Sequence, residues 1–331
     1  MTDQRPSLLR AEVHRFRSRR FIRILVLLAL GGFVVGLVIA GTQFAKPSAA
    51  GLADAQRIMA EAGQQQEQFR QECLKQPQPP GQTAEQTCGP PFEASGLGVE
   101  DFMRTKPFVF ADTAPGAAGG VAAGTAALLF LIGATWVGAE WSSKSMTALL
   151  FWEPRRLKVI ATKLAVLLGA AALIGAAAQA LWLLGAKALA ATRGSTGRLP
   201  DGFYGDLLAI QARGVLLVVV AGALGFALAN LVRNTGAALG LGFVYFAVVE
   251  NAVRVLRPKW EPGLLTNNAA ALVSKDGLRL YLNETHVDGQ GQLVSVREIV
   301  LSHLHGGVVL VLTAAVLVAV GGVLFARRDL Q

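Results

Sequence analysis

The chain has 331 residues, of which 53% are hydrophobic and only 16% charged, and its mean hydropathy is +0.45. A soluble domain of this length is usually less apolar and more charged. The formal net charge of +9 does not indicate nucleic-acid binding, because the basic residues are divided among separate clusters between long uncharged segments and form no single basic face.

The uncharged segments are each about 20 residues long, which is enough to cross a hydrocarbon core about 30 Å thick. Because a backbone in lipid must satisfy its own hydrogen bonds, each segment is predicted to be a helix. We therefore expect an all-α polytopic membrane protein with about six transmembrane helices, an N-terminal interfacial helix and sizeable extracellular loops. The predicted spans are residues 24–45, 116–139, 164–186, 214–232, 236–253 and 306–326.

The charge distribution predicts the orientation of these spans. Segments 1–23, 140–163, 233–235 and 327–331 together contain 15 of the 31 Lys and Arg residues but only 5 of the 22 Asp and Glu residues. Loops rich in Lys and Arg normally stay in the cytoplasm. Both termini are therefore predicted to be cytoplasmic.

The N-terminal segment 1–23 contains seven arginines. Leu9, Val13 and Phe16 recur on one helical face, which is typical of a helix lying on the inner membrane surface. A disordered basic tail that only sets the orientation is the alternative. The apolar run that follows is longer than the 7–15-residue core of a signal peptide, so we expect it to be retained as the first span.

The predicted outer segment 46–115 contains both cysteines of the chain, Cys73 and Cys88. We expect a helix from Ala55 to Cys73. If the segment is extracellular, the two cysteines can form a disulfide; two free thiols are the alternative. A zinc site is not expected, since no third and fourth ligand accompany the cysteines.

Two further outer segments are predicted, at 187–213 and 254–304. In the second, Leu264–Val273 is predicted to be a short helix. Leu278–Leu282 and Gln292–Arg297 alternate around a glycine-rich turn and predict a small β-hairpin. Glu250 lies near the outer end of the fifth span, where its carboxylate would reach water or a partner.

The sequence contains no arrangement typical of an enzyme. It has no G-x-x-x-x-G-K-[ST] loop to bind ATP phosphates. No serine, cysteine or aspartate is placed with a histidine to suggest a nucleophilic site. His303 and His305 are two imidazoles without further ligands, and we interpret them as interfacial polar residues. We therefore expect no catalytic site, no metal site and no cofactor bound by this chain.

Three stretches carry a resemblance to a known family: the start of the chain, the segment between the second and third spans, and the C-terminus. The segment between the spans is basic, and Pro154 is predicted to break the helix there. The residues of the resemblance are Leu8–Glu12 with the basic run after it; Gly138–Trp141, Leu149, Leu150, Glu153–Arg156 and Lys163; and Phe325–Asp329.

With these residues the chain resembles the permease subunits of bacterial ATP-binding-cassette (ABC) exporters of the ABC-type-2 class. Family members commonly have a glutamate after the second span, then a proline with an arginine soon after it, then a lysine at the start of the third span. They often have a glycine about three residues after the glutamate, where this chain has Ser143 and Lys144. The first stretch is similar to the family's cytoplasmic connecting helix.

The resemblance implies one half of an exporter in the bacterial plasma membrane, with a lipid-like, amphipathic or drug-like substrate. Its partners would be a separate cytoplasmic ATPase subunit, which binds Mg-ATP, a second permease copy or paralogue, and membrane lipids. The segment 140–163 would couple the permease to the ATPase. The implied coupling residues are Glu140, Leu149, Leu150, Phe151, Trp152, Glu153, Arg155, Arg156, Lys158 and Lys163.

Different roles are expected within this coupling segment. Exposed ion pairs contribute little to binding, so the apolar residues from Leu149 to Trp152 are expected to provide most of the docking energy. Glu140 is expected to stabilise the loop through local hydrogen bonds. Alternatively, Arg155, Arg156 and Lys158 only hold phospholipid headgroups and fix the orientation.

A different class of function is also compatible with the sequence. The large outer segments 46–112 and 254–304 could belong to a non-transporting membrane scaffold or sensor that binds a ligand or partner outside the cell. A neighbouring gene for an ATPase would distinguish the two functions.

Overall fold

The computed structural model describes residues 8–76, 84–92, 96–288 and 291–327. In these ranges, helices dominate and strands are few. The helices are α1 (Leu8–Ser18), α2 (Arg20–Gln43), α3 (Ala49–Leu74), α4 (Ala84–Cys88), α5 (Phe110–Ser142), α6 (Ser145–Trp152), α7 (Arg156–Arg193), α8 (Phe203–Val232), α9 (Thr235–Phe243), α10 (Glu250–Leu256), α11 (Leu265–Val273) and α12 (His303–Arg327). The strands are β1 (Phe108–Val109), β2 (Gly194–Ser195), β3 (Leu278–Asp288) and β4 (Gly291–Leu301).

Within the described residues, six helical segments are long and apolar enough to cross a membrane, as the sequence predicts. They are α2, α5, α7, α8, the run from Thr235 to Leu256 that joins α9 to α10 through a π-helical turn at Val244–Val249, and α12. Most of these helices extend beyond the predicted spans. The difference matters most for α7, which begins at Arg156, directly after the break at Pro154, so that Lys163 lies inside the helix.

The chain forms two compact units, which we name the bundle unit (residues 1–33, 112–184 and 199–331) and the loop unit (residues 34–111 and 185–198). Parts of both lie outside the described residues. These parts include residues 1–7 of the predicted interfacial segment, and Arg328 and Asp329 of the C-terminal stretch.

In the bundle unit, α5 and α8 pack closely because the residues at their contact include glycines, which have no side chain. A Cβ atom added to Gly225 would collide with the carbonyl oxygen of Phe130, and one added to Gly133 would collide with that of Gly222. Small residues at helix contacts are typical of membrane proteins, where close van der Waals packing holds helices together.

Buried polar side chains also connect the helices of the bundle unit. Gln179 of α7 donates a hydrogen bond to the carbonyl of Ala118 in α5 at 3.1 Å, and Gln211 of α8 donates to the carbonyl of Gln179 at 3.1 Å. Trp182 donates to the carbonyl of Ala114 at 3.2 Å. These bonds satisfy side-chain N–H groups that would otherwise be costly in an apolar core.

The segment after α10 contains the predicted short helix and hairpin. Helix α11 packs against α8 and α12. Strands β3 and β4 pair antiparallel from Leu278 opposite Leu301 to Asp288 opposite Gly291, so the hairpin is longer than predicted. Gly289 and Gln290 of its predicted turn lie outside the described residues.

Glu250, at the start of α10, is fully buried, and of the two expected surroundings, water or a partner, it has the partner. Its carboxylate accepts hydrogen bonds from the backbone N–H of Thr266 at 3.1 Å, from the Thr266 hydroxyl, and from Arg254 at 3.1 Å. Thr266 lies in the first turn of α11, and a carboxylate is stabilised at a helix N-terminus. Glu250 therefore connects the fifth span to α11.

The loop unit contains the predicted disulfide. Cys73, near the end of α3, is bonded to Cys88 of α4. Helix α3 includes the predicted Ala55–Cys73 helix and begins after Ser48, whose hydroxyl accepts a hydrogen bond from the N–H of Gly51 at 3.0 Å. The two-residue strands β1 and β2 form a parallel pair.

Replacement of Gly225 by valine is expected to destabilise the bundle unit by about 1–3 kcal/mol, because the new side chain must push α5 and α8 apart. Gly169→Val is the matched control, since a Cβ atom there meets nothing within 4 Å. Thermal unfolding of the detergent-purified proteins measures both effects. Equal stability of the two variants would contradict the close packing of α5 and α8.

Candidate functional site

One end of the bundle unit contains the start of α7, the end of α5, the turn between α8 and α9, and the end of α12. Three contacts establish this arrangement. Trp141 lies edge-to-face with Phe325 at 5.7 Å between ring centroids, the Arg233 guanidinium lies 4.5 Å from the Trp141 ring centroid, and Arg156 donates to the carbonyl of Ala326 at 3.3 Å. We name this region the connection end.

At the connection end a buried lysine lies between two carboxylates. The Lys163 ammonium is 2.6 Å from one carboxylate oxygen of Glu12 and 2.7 Å from one of Glu140. The side chains of Lys163 and Glu12 are fully buried and that of Glu140 is 5% exposed. These three residues come from α7, α1 and α5, so a single ammonium group joins three helices.

Two arginines complete this ion network. The second carboxylate oxygen of Glu140 is 2.7 Å from Arg19, and the second oxygen of Glu12 is 3.1 Å from Arg15. Arg19 also donates to the carbonyls of Thr135 and Trp136, at 3.3 and 3.0 Å. The network thus contains three cations and two anions, and both carboxylates bind a cation through each oxygen.

An indole ring closes one side of the network. Trp136 is fully buried. The Arg19 guanidinium and the Lys163 ammonium lie 4.5 and 4.9 Å from its ring centroid, and Phe16 of α1 packs edge-to-face against it at 5.2 Å. A cation near an aromatic face gains electrostatic energy, most of all when it is removed from water. Trp136 therefore stabilises both cations, the buried Lys163 and the partly exposed Arg19.

Helix α1 packs within the bundle unit through Glu12 and Phe16, which are buried. Leu9 and Val13, which the sequence pattern groups with Phe16 on one apolar face for the membrane surface, are exposed. The physical reason is the attraction between Glu12 and Lys163, which hydropathy cannot detect because it treats Glu12 as a surface residue. Leu9 and Val13 remain on the outer side of the helix.

Helix α6 divides the predicted docking residues into two groups. Leu149 and Leu150 are buried within the chain itself, 8% and 9% exposed, whereas Phe151 and Trp152 are 86% and 90% exposed. Leu149 and Leu150 attach α6 to the core. Of the four predicted apolar anchors, Phe151 and Trp152 are the two that are exposed.

The residue before α6 adopts an unusual backbone conformation. Lys144 has φ of +56°, in the left-handed region that glycine favours. This is where the resemblance places a glycine after the glutamate. The turn between α5 and α6 therefore has the backbone geometry that a glycine would suit, although the residue is lysine.

The remaining predicted residues lie between α6 and α7 (Glu153 and Arg155) or in the first turn of α7 (Arg156 and Lys158). Glu153 is 2.7 Å from Lys158 and 3.6 Å from Arg155. The hydrogen bond from Lys158 lowers the pKa of the Glu153 carboxyl. Arg156 lies apart from this pair, against the end of α12.

Glu140 has both long-range and local contacts. Its carboxylate binds Arg19 and Lys163, which are distant in sequence, whereas its backbone carbonyl accepts hydrogen bonds from Ser143 and Ser145, each at 3.5 Å. The long-range pairs were not expected from the sequence, which suggests only a local role.

The sequence patterns indicate no role for Trp136 and no individual role for Glu12. Trp136 lies within an apolar span and has no distinguishing pattern. The sequence could have indicated a role for Glu12, because it is the only acidic residue between Asp3 and Asp54. A single acid in a strongly basic helix indicates a specific partner for that acid.

Comparison of the chain with protein-family models, curated proteins and solved structures found no match. The contacts at the connection end are therefore interpreted from their own geometry.

Lys163→Met is expected to lower the free energy of unfolding by about 3–5 kcal/mol, because it leaves two buried carboxylates without their shared cation. Lys158→Met is the matched control: it is the same substitution in the same helix, but the Lys158 side chain is 49% exposed, and an exposed pair contributes little. Denaturant titration of the purified proteins measures the difference. If Lys163→Met lowers the free energy of unfolding no more than Lys158→Met does, the network does not stabilise the fold.

Proposed function

We propose that the chain is the membrane-spanning permease subunit of an ABC-type-2 exporter, driven by a separate ATPase subunit that binds Mg-ATP. One observation carries the proposal. The three sequence stretches that resemble the family are distant in sequence but converge at the connection end: Glu12 and Glu140 bind Lys163, and Phe325 packs on Trp141.

The contacts around α6 support a role in coupling. Phe151 and Trp152 are exposed at the end of a helix whose other side is packed into the core through Met146, Leu149 and Leu150. Aromatic residues on an exposed surface are typical anchors of protein–protein interfaces. In the proposal, the ATPase binds these two side chains, and Arg155 and Lys158 add electrostatic attraction to acidic residues of the ATPase.

The ion network provides a route for transmitting motion. Because Lys163 joins α1, α5 and α7, movement of the docked α6 would shift the ends of these helices together. Packed elements move between discrete arrangements as rigid bodies. In the proposal, ATP binding by two ATPase subunits drives such a movement, and the spans alternate between inward- and outward-facing arrangements. Hydrolysis belongs to the ATPase, and this chain contributes no catalytic group.

A translocation pathway in this proposal lies between two permease copies or paralogues. The burial of the spans supports it. We compare the share of buried residues in the most apolar part of each span. This share is zero for α2 and 11% for the Thr235–Leu256 span, compared with 67% for α8. Apolar helices left uncovered by their own chain suit contact with a second copy or with lipid. The apolar spans favour a lipid-like or amphipathic substrate.

The docking role predicts that Phe151→Ser with Trp152→Ser lowers affinity for the ATPase by at least about tenfold, because hot-spot aromatic residues dominate such interfaces. The tagged chain is purified from its native membranes, and co-purifying P-loop proteins are identified by mass spectrometry and by vanadate-sensitive ATP hydrolysis. The matched control is Trp260→Ser with Tyr281→Ser, two aromatics that are 68% and 62% exposed.

Two outcomes contradict the proposal in different ways. A wild-type preparation without any P-loop ATPase would contradict the exporter function. Equal recovery of the ATPase with both double variants would contradict only the assignment of Phe151 and Trp152 as docking residues.

The orientation predicts which new cysteines can be labelled from outside. Both natural cysteines are in the disulfide, so an introduced cysteine is the single free thiol. We expect a membrane-impermeant maleimide to label Trp260→Cys in intact spheroplasts, but to label Arg155→Cys only after permeabilisation. The opposite pattern would place α6 outside the cell, beyond reach of an ATPase, and would exclude the exporter function.

A further inference from the structure

The fifth span contains a π-helical turn, Val244–Val249, between α9 and α10. At the end of this turn the N–H of Glu250 donates to the carbonyl of Tyr245, which is five residues earlier in the chain instead of the four of an α-helix. Such π-helical turns are rare and frequently occur at functional sites. A turn this uncommon indicates that its surroundings select it.

The residues at the two ends of the turn together cap α11. The Tyr245 hydroxyl accepts a hydrogen bond from the backbone N–H of Leu265 at 3.4 Å, and the Glu250 carboxylate accepts one from the N–H of Thr266 at 3.1 Å. These N–H groups belong to the first two residues of α11 and have no acceptor within that helix. The preceding residue, Leu264, has an apolar side chain and makes no capping bond. The N-terminus of α11 is therefore capped by the fifth span.

The π turn brings these two acceptors to one side of the fifth span. At 3.6 residues per turn, two residues five positions apart in an α-helix lie about 140° apart around the helix axis. A π-helical turn stacks them, because its hydrogen bonds join residues five apart. Tyr245 and Glu250 are such a pair. An α-helical fifth span would therefore turn one of the two acceptors away from α11.

Packing against the rest of the bundle unit does little to impose the π turn. Residues 247–249 are exposed within the chain, and Phe246 contacts the bundle through an edge-to-face arrangement with Phe130, at 6.5 Å between ring centroids. By contrast, Glu250 is fully buried against α11. The two capping bonds to α11 are therefore the interaction that favours the π turn over a continuous α-helix.

We propose that the π turn is a two-state switch that attaches the fifth span to α11 and releases it. In the attached state, the turn is π-helical, and Tyr245 and Glu250 both cap α11. In the released state, the turn is α-helical, the two acceptors point apart, and at least one N–H of α11 loses its acceptor. Helix α11 also packs against α8 and α12, so the switch decides whether the fifth span moves with this part of the bundle unit. The switch does not depend on the proposed exporter function.

Changing the length of the turn by one residue tests this switch. Deletion of Val248 places Tyr245 and Glu250 four positions apart, which is about 40° around an α-helix, so both can cap α11 without a π turn. The deletion should hold α11 in the attached state. An alanine inserted after Val248 places the two acceptors six positions apart, about 120° around the axis, and should release α11.

Hydrogen exchange measures the attachment, since the N–H groups of Leu265 and Thr266 are the ones that release exposes. The full chain in phosphatidylcholine nanodiscs is labelled with deuterium, and these N–H groups are resolved by fragmentation mass spectrometry. We expect deletion of Val248 to slow their exchange by at least about tenfold relative to the wild type, and the alanine insertion to accelerate it by at least about tenfold. Exchange that the deletion leaves unchanged or accelerates would overturn the proposal, and so would exchange that the insertion leaves unchanged.

Tyr245→Phe tests the hydroxyl by itself. Because the N–H of Leu265 loses its acceptor, we expect its exchange to become at least about tenfold faster. Tyr281→Phe is the matched control: it is the same substitution at a residue of β3 that is 62% exposed, and exchange in α11 should equal that of the wild type. Equal exchange of Leu265 in the two variants would show that the Tyr245 hydroxyl does not cap α11 and would overturn the switch.

A second deletion distinguishes the π turn from an ordinary helix. Val316 is 59% exposed in α12, which is α-helical throughout, and its deletion rotates the later residues of α12 by about 100°. We expect this deletion to lower the thermal unfolding temperature of the detergent-purified chain, and deletion of Val248 to leave that temperature unchanged or raise it. If both deletions lower it equally, the turn is not a removable insertion in the fifth span, and the proposal fails.

Discussion

The buried contact of Lys163 with Glu12 and Glu140 is the interaction on which the arrangement of the connection end depends. Removing three charges from water is costly, and only close pairing with further hydrogen bonds compensates for that cost. The structure meets this condition, since Arg15 and Arg19 bind the remaining carboxylate oxygens. The requirement for complete pairing fixes α1 against α5 and α7, because none of the three charges can leave without exposing the others.

This constraint explains why a short basic helix is docked against an apolar bundle at all. Helix α1 has mostly polar side chains, and two of its apolar residues, Leu9 and Val13, face outward. Phe16 and Glu12 attach it through one aromatic contact and one ion pair. Any displacement of α1 would separate the Glu12 carboxylate from the Lys163 ammonium.

The same end of the bundle unit presents two chemically different surfaces. Phe151 and Trp152 are exposed aromatic residues at the end of α6, where the proposal places the ATPase. A crevice between α7 and α12, by contrast, is lined only by apolar residues and a glycine. The basic residues after Pro154 therefore have different partners. Arg155 and Lys158 pair with Glu153, whereas Arg156 donates a hydrogen bond to the carbonyl of Ala326 at the end of α12.

The sequence by itself determined the six apolar helices, the break at Pro154, the hairpin after α11 and the helix that carries Cys73, because hydropathy, proline and residue alternation act locally. Only the tertiary structure decided that Lys163 lies inside α7, that Glu12 is its partner, that Leu149 and Leu150 are buried, and that Glu250 binds α11. The physical reason is that an ion pair joins residues about 150 positions apart, and no local pattern encodes which distant charge an ionised side chain will meet.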